Sequence, residues 1–111
     1  MLQEYITKLF KYEHRTALLI GEASVKYLRR YIYGSADAFE MCGFCSVKEA
    51  FGQRWEYFVE QWLNDFQTCG WDNLMLKHSN SGTDAMALFY HILRIYLKSN
   101  YPDISFPEAV Q

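Results

Sequence analysis

Ser46-Val47-Lys48-Glu49-Ala50-Phe51-Gly52-Gln53-Arg54-Trp55-Glu56-Tyr57-Phe58-Val59-Glu60-Gln61-Trp62-Leu63-Asn64-Asp65-Phe66 is the most periodic stretch of the chain. Phe51, Trp55, Phe58, Val59, Trp62 and Phe66 recur at helical spacing and fall on one stripe, while Glu49, Gln53, Glu56 and Glu60 lie opposite. Ser46 and Glu49 have the spacing of a capping box, in which hydroxyl and carboxylate each accept a free backbone amide. The pattern predicts a helix over 47–67, closed by Cys69-Gly70.

Working outward, the same period returns on both sides. Leu2, Tyr5, Ile6, Leu9 and Phe10 share one face of a helix over 2–12. Residues 16–20 read as an apolar connector ending at Gly21. Ser24 is an N-cap candidate for a helix over 25–42, which turns Val25, Leu28, Tyr31, Ile32, Phe39 and Cys42 inward. Gly34 within it costs about 1 kcal/mol relative to Ala, which points to a close neighbour or a break. Gly43 ends it. A short helix over 71–78 and a turn at Asn80-Ser81-Gly82 follow, and Ser81 and Asp84 repeat the capping-box spacing. The last helix, over 83–98, is apolar except for a strip of Asp84, His91, Arg94 and Lys98, so it belongs at the centre. From Ser99 the chain reads as an extended tail over 99–111 that packs through Tyr101, Ile104 and Phe106. The expected fold is all-α, a single domain over 1–111 built as a bundle of four to five helices. Far-UV circular dichroism of the purified protein should therefore be helical, and a β-dominated spectrum would overturn this fold.

The bulk composition narrows the function. The chain has 111 residues, half of them hydrophobic and 18% aromatic, with a formal net charge of −2. An acidic total argues against nucleic acid as the main partner, since phosphate binding needs a basic surface. The charge is segregated. Residues 8–36 carry six basic and two acidic side chains, and residues 37–72 carry seven acidic and two basic ones. Met1-Leu2-Gln3-Glu4-Tyr5 lacks the basic and apolar regions of a secretory leader, and no apolar run is long enough to span a membrane. Three cysteines, an odd number, give no disulfide framework. The expected compartment is the cytoplasm.

No catalytic constellation emerges. Cys42-Gly43-Phe44-Cys45 joins two helices, whereas a redox pair of this spacing follows a strand. A zinc site needs four ligands, and Cys69, His78 and His91 supply no second close pair. The cysteines are expected to be small buried hydrophobes, with no metal and no cofactor. His14, His78 and His91 have no acid and nucleophile at triad spacing. The alternation Lys26-Tyr27-Leu28-Arg29-Arg30-Tyr31-Ile32-Tyr33 suits a nucleic-acid binder, but its basic strip also carries Asp37 and Glu40. What remains is a binding protein. Asp37, Glu40, Glu49, Glu56, Glu60 and Asp72 are expected to form one negative face that meets a basic protein, with surplus aromatics as anchors.

Ala17-Leu18-Leu19-Ile20-Gly21-Glu22-Ala23-Ser24, then Leu28, leads into the helix with Gly34. Phe58-x-x-x-Trp62-Leu63, Gly70-Trp71, Asp84-Ala85, Phe89-Tyr90, Leu93 and Tyr96-Leu97 follow. Over residues 17–97 this arrangement of core and turn positions resembles small helical immunity proteins encoded beside bacterial polymorphic toxins, including contact-dependent growth inhibition systems. The resemblance implies a cytosolic protein that binds one cognate toxin and blocks its active or substrate-binding surface. Many such toxins are basic nucleases. A regulatory or adaptor subunit and a helical nucleic-acid-associated protein are the other readings.

Overall fold

The computed structural model, which describes residues 1–109, contains helices and no strand among them. Four long helices carry the fold: α1 (Leu2–Lys11), α3 (Val25–Met41), α5 (Gln53–Leu63) and α7 (Gly82–Asn100). Three short ones join them: α2 (Thr16–Ile20), α4 (Ser46–Ala50) and α6 (Trp71–Lys77). The connector expected at 16–20 is thus a turn of helix, stopped by Gly21 at φ 86°. Such a φ favours glycine because it has no Cβ to clash.

α7 lies at the centre, as its nearly continuous apolar surface requires. Ala85, Phe89, Tyr90, Ile92, Leu93, Tyr96 and Leu97 are all buried. α3, α5 and α6 pack against it. α1 docks through Leu2, Tyr5, Ile6, Leu9 and Phe10. Trp55 of α5 is fully buried, with Phe51, Trp71, Phe89 and Tyr96 around it at ring separations of 5.8, 5.8, 5.7 and 5.1 Å, all edge-on. Edge-on pairs are favourable because the positive rim of one ring meets the negative face of the next.

The periodic stretch 47–67 is interrupted twice. At Phe51-Gly52 the backbone leaves the helix, with Gly52 at ψ −137°. A Cβ there would sit 3.0 Å from the Lys48 carbonyl, so the sharp junction of α4 and α5 needs glycine. At Asn64, φ 51° and ψ 47° end α5 in the left-handed region that asparagine tolerates. The capping box also fails to form. Cys45 takes the N-cap position and Ser46 becomes the first helical residue, because the chain reverses one turn earlier. That reversal is a Schellman turn. Gly43, at φ 88°, donates to Glu40 and Phe44 donates to Phe39, both at 2.9 Å. The other caps match expectation: Ser24 Oγ accepts from Lys26 N at 3.2 Å, and Ser81 Oγ from Asp84 N at 3.1 Å.

The tail after Asn100 is held at three points. The Gln3 amide exchanges two hydrogen bonds with the Ser105 backbone at 2.8 and 2.7 Å, in the manner of a strand partner. Phe106 stacks on Phe10 at 5.5 Å. Arg94 donates to the Pro107 carbonyl at 3.0 Å. Residues 110 and 111, part of the expected tail, lie outside the described residues.

Gly34 makes neither a close contact nor a break: α3 runs straight through it, and nothing stands within 4 Å of where its Cβ would be. Gly34→Ala should therefore stabilise the protein by about 1 kcal/mol, read as a higher urea midpoint at unchanged slope. A lower midpoint would mean that this face of α3 is covered.

Candidate partner-binding face

The six carboxylates expected on one face have different surroundings. Asp37 and Glu40 reach across the α3–α4 corner to Lys48, at 3.3 and 2.8 Å. The hydrogen bonds that Lys48 donates, to Glu40 first and Asp37 second, hold its ammonium above its ordinary pKa. Glu56 accepts a hydrogen bond from the Tyr33 hydroxyl at 2.7 Å and lies 3.7 Å from Arg29. Asp72 is buried, 3.5 Å from Arg29 Nε. Glu56 and Asp72 are therefore already engaged within the fold. The docking of α3 on α5 and α6 turns them inward, a tertiary contact that helical spacing alone does not report. Glu49 and Glu60 have no hydrogen-bond or ion-pair partner among the described residues.

Where α3, α5 and α6 meet, these side chains form one polar seam. Arg29 stacks over the Tyr33 ring at 4.6 Å, and the Tyr33 hydroxyl also accepts from Trp71 Nε1 at 3.2 Å. Burial first, then the hydrogen bond to Glu56, pushes the Tyr33 hydroxyl up to about 12. Gly70, at φ 92°, makes room. A Cβ there would come within 2.9 Å of Asp72 Oδ1 and 3.4 Å of the Arg29 guanidinium. Of the basic side chains in residues 26–33, Arg29 faces two carboxylates, whereas Lys26, which donates to Asn73 at 2.7 Å, and Arg30, which lies over the Tyr27 ring, have no acidic partner among the described residues.

The aromatic stripe divides as well. Phe51, Trp55 and Val59 are buried, but Trp62 and Phe66 are 42% and 55% exposed. Ending α5 at Asn64 frees Phe66 from the stripe and folds it beside Tyr57, which is 57% exposed, at a ring separation of 6.5 Å. Trp62 leans edge-on against His91 of α7 at 5.4 Å. Tyr57 and Glu60 are one helical turn apart. The outer side of α5 thus combines Tyr57, with Phe66 beside it, and the unpaired carboxylate of Glu60, while Trp62 is exposed on the side that faces α7. Helical periodicity assigned Trp62 and Phe66 to the core, and Asn64 was the signal that the helix stops short.

A half-open cavity of about 400 Å3 lies between α7 and the α1–α2 turn, with His14, Thr83, Met86 and His91 above a floor formed by Glu13 and Arg94. The floor is engaged within the fold. Arg94, expected on the polar strip of α7, is buried and donates to both Glu13 oxygens at 2.7 and 2.6 Å. The pair ties the α1–α2 turn to α7, and Arg94 also ties down the tail. Among the described residues no group of three or more His, Cys, Asp or Glu comes together as a metal site, and no helix is long and apolar enough to cross a membrane. The cysteines depart from expectation. Cys42, Cys45 and Cys69 are all exposed. In comparisons with known proteins no family model, curated protein or solved structure matches the chain.

Asp65 closes the bend between α5 and α6. It accepts from Lys77 at 2.6 Å, bonds His78 Nε2 at 2.9 Å and receives Gln67 N at 3.3 Å. Lys77 first, then His78, lower its carboxyl from 3.8 to about 2. A carboxylate with a lowered folded-state pKa stabilises above its ordinary pKa and loses that contribution as pH falls through the folded value. Asp65→Asn should lower the melting temperature at neutral pH, and the difference from the parent should close as pH falls from about 4 to about 2. A difference that stayed constant over that range would show that the carboxylate charge plays no part in the bend.

Proposed function

We propose that this chain is an immunity protein that binds a cognate bacterial toxin and neutralises it by covering its active or substrate-binding surface. The carrying observation is the outer side of α5, where Tyr57 and Phe66 stand in water side by side, one helical turn from the unpaired Glu60. Exposed aromatic area is recovered when a partner covers it, and Trp and Tyr are the side chains that most often anchor an interface. The resemblance over residues 17–97 supplies the partner class. A carboxylate with no cation of its own favours a basic partner surface, which would suit a nuclease toxin.

The mechanism is occlusion in two parts. Glu60, with Glu49 on α4, steers the encounter through a field that salt screens over about 8 Å at physiological ionic strength. Tyr57 and Phe66 then hold the complex by excluding water. Glu56 belongs to neither part, because its carboxylate already bonds Tyr33. A regulatory subunit would use the same surface, and the two readings separate on whether the protein protects cells from a toxin.

The test uses the toxin domain encoded beside this gene, purified and also expressed in cells. Tyr57→Ala with Phe66→Ala should leave the helical spectrum intact and speed dissociation, with anchors of this kind costing about 2 kcal/mol or more each. Glu60→Lys should slow association at low salt, and the effect should fade as salt is added. Glu56→Lys should instead destabilise the free protein, by placing a cation beside Arg29. Full protection and unchanged dissociation in the Tyr57/Phe66 double variant would refute this face as the interface. Failure of the parent to bind or protect would refute the immunity reading itself.

A further inference from the structure

The sulfur atoms of this chain lie where a core would not use them. Free cysteine is among the side chains most often buried, yet Cys42, Cys45 and Cys69 are all exposed. Two of them share one corner of the fold. Cys42 is the C-cap of α3 and Cys45 the N-cap of α4. The backbone between them is fixed by the Schellman turn at Gly43, whose φ of 88° reverses the chain. Neither thiol makes a hydrogen bond among the described residues, whereas Cys69 Sγ lies 3.9 Å from the Gly70 carbonyl oxygen. Beside the pair stands Met41, 88% exposed, a third soft donor in the same short segment.

Coordination number decides which ion such a corner can hold. Structural zinc takes four ligands, and no third His, Cys, Asp or Glu joins the pair among the described residues. Magnesium and calcium take hard oxygen donors, and the carboxylates of this corner, Asp37 and Glu40, are already held by Lys48. Cuprous copper is soft, selects thiolate and thioether sulfur, and is satisfied by two thiolates in line. We propose that Cys42 and Cys45 form a cuprous-copper site at the α3–α4 corner, with Met41 at its rim. Each sulfur exchanges its S–H proton for a copper–sulfur bond. Two protons leave, no electron moves, and the loaded corner gains one negative charge.

Occupancy has a structural consequence. The ion cross-links the last residue capping α3 to the one that begins α4, a junction otherwise closed by Lys48 with Asp37 and Glu40. A ligand held by the folded corner and bound less well by the unfolded chain raises stability. The site uses none of the side chains of the toxin reading and does not depend on it.

The experiment loads the full chain anaerobically with a cuprous salt in excess reduced glutathione, then removes loosely held metal by gel filtration. About one copper per chain should remain on the monomer, with a higher melting temperature than the metal-free protein. Cys42→Ser and Cys45→Ser should each lose the copper and the thermal shift, while Cys69→Ser should keep both. A bathocuproine disulfonate titration should rank parent above Met41→Leu, and Met41→Leu above either corner serine variant. Copper lost entirely to glutathione, copper retained equally by both corner serine variants, or copper found only in a chain dimer bridged through Cys69 would each overturn the proposal. Since the serine replacements are at exposed positions, unchanged circular dichroism of the metal-free variants confirms that lost copper is not lost fold.

Discussion

The indole of Trp55 meets Phe51, Trp71, Phe89 and Tyr96 edge-on, and these rings come from the end of α4, from α6 and from two turns of α7. Each edge-on pair contributes about 0.5–1.5 kcal/mol beyond the area it buries, and each also sets an angle. Because Trp55 Nε1 is buried without a hydrogen-bond acceptor, packing alone holds this ring. The positions of α4, α6 and α7 around α5 follow from it. Gly52 is needed so that α4 can turn sharply enough to bring Phe51 to Trp55, and Gly70 so that Trp71 can enter from the other side.

Once those helices are placed, the charges have little freedom. Packing α6 beside α3 and α5 puts Asp72 out of water, and Arg29 is drawn to it and to Glu56. A buried carboxylate is costly unless paired, so the seam from Arg29 through Tyr33 to Trp71 follows from the aromatic packing. The same logic operates at the opposite side of α7. Arg94 is buried because the helix is central, and it is tolerated because Glu13, the Pro107 carbonyl and the Phe10 ring, 4.8 Å below the guanidinium, replace its water.

The surface left for a partner is what the core and these two polar arrangements do not use. Glu60 keeps its charge free because it sits on the outer side of α5. Tyr57 stays exposed because it lies on the side of α5 away from Trp55, and Trp62 and Phe66 because the core is already filled by the rings around Trp55. An aromatic-rich composition thus serves two ends in this small chain, a dense centre and an apolar outer edge. The thiols at the α3–α4 corner are exposed for a simpler reason: a tight reversal between two helices has no interior in which to place them.

The amino-acid sequence determined the helices of α1, α3 and α7, their inward faces apart from Cys42 and Arg94, the caps at Ser24 and Ser81 and the stops at Gly21 and Gly43. These depend on neighbours within about one turn, and the period of an α-helix makes them readable. It also pointed to α7 as the central element, since a helix apolar on most sides has to be surrounded. Tertiary structure alone decided which carboxylates stay free and which aromatics stay exposed. Glu56 and Glu60 are four residues apart with the same chemistry and nearly the same helical face, yet one bonds Tyr33 and the other has no partner. The difference lies in a hydroxyl 23 positions away along the chain, brought there by helix packing. Trp62 and Phe66 continue the periodic stripe of Trp55, but the left-handed turn at Asn64 and a core already full leave them at the surface. Local propensity has no term for either event, because both arise from competition for the same buried volume.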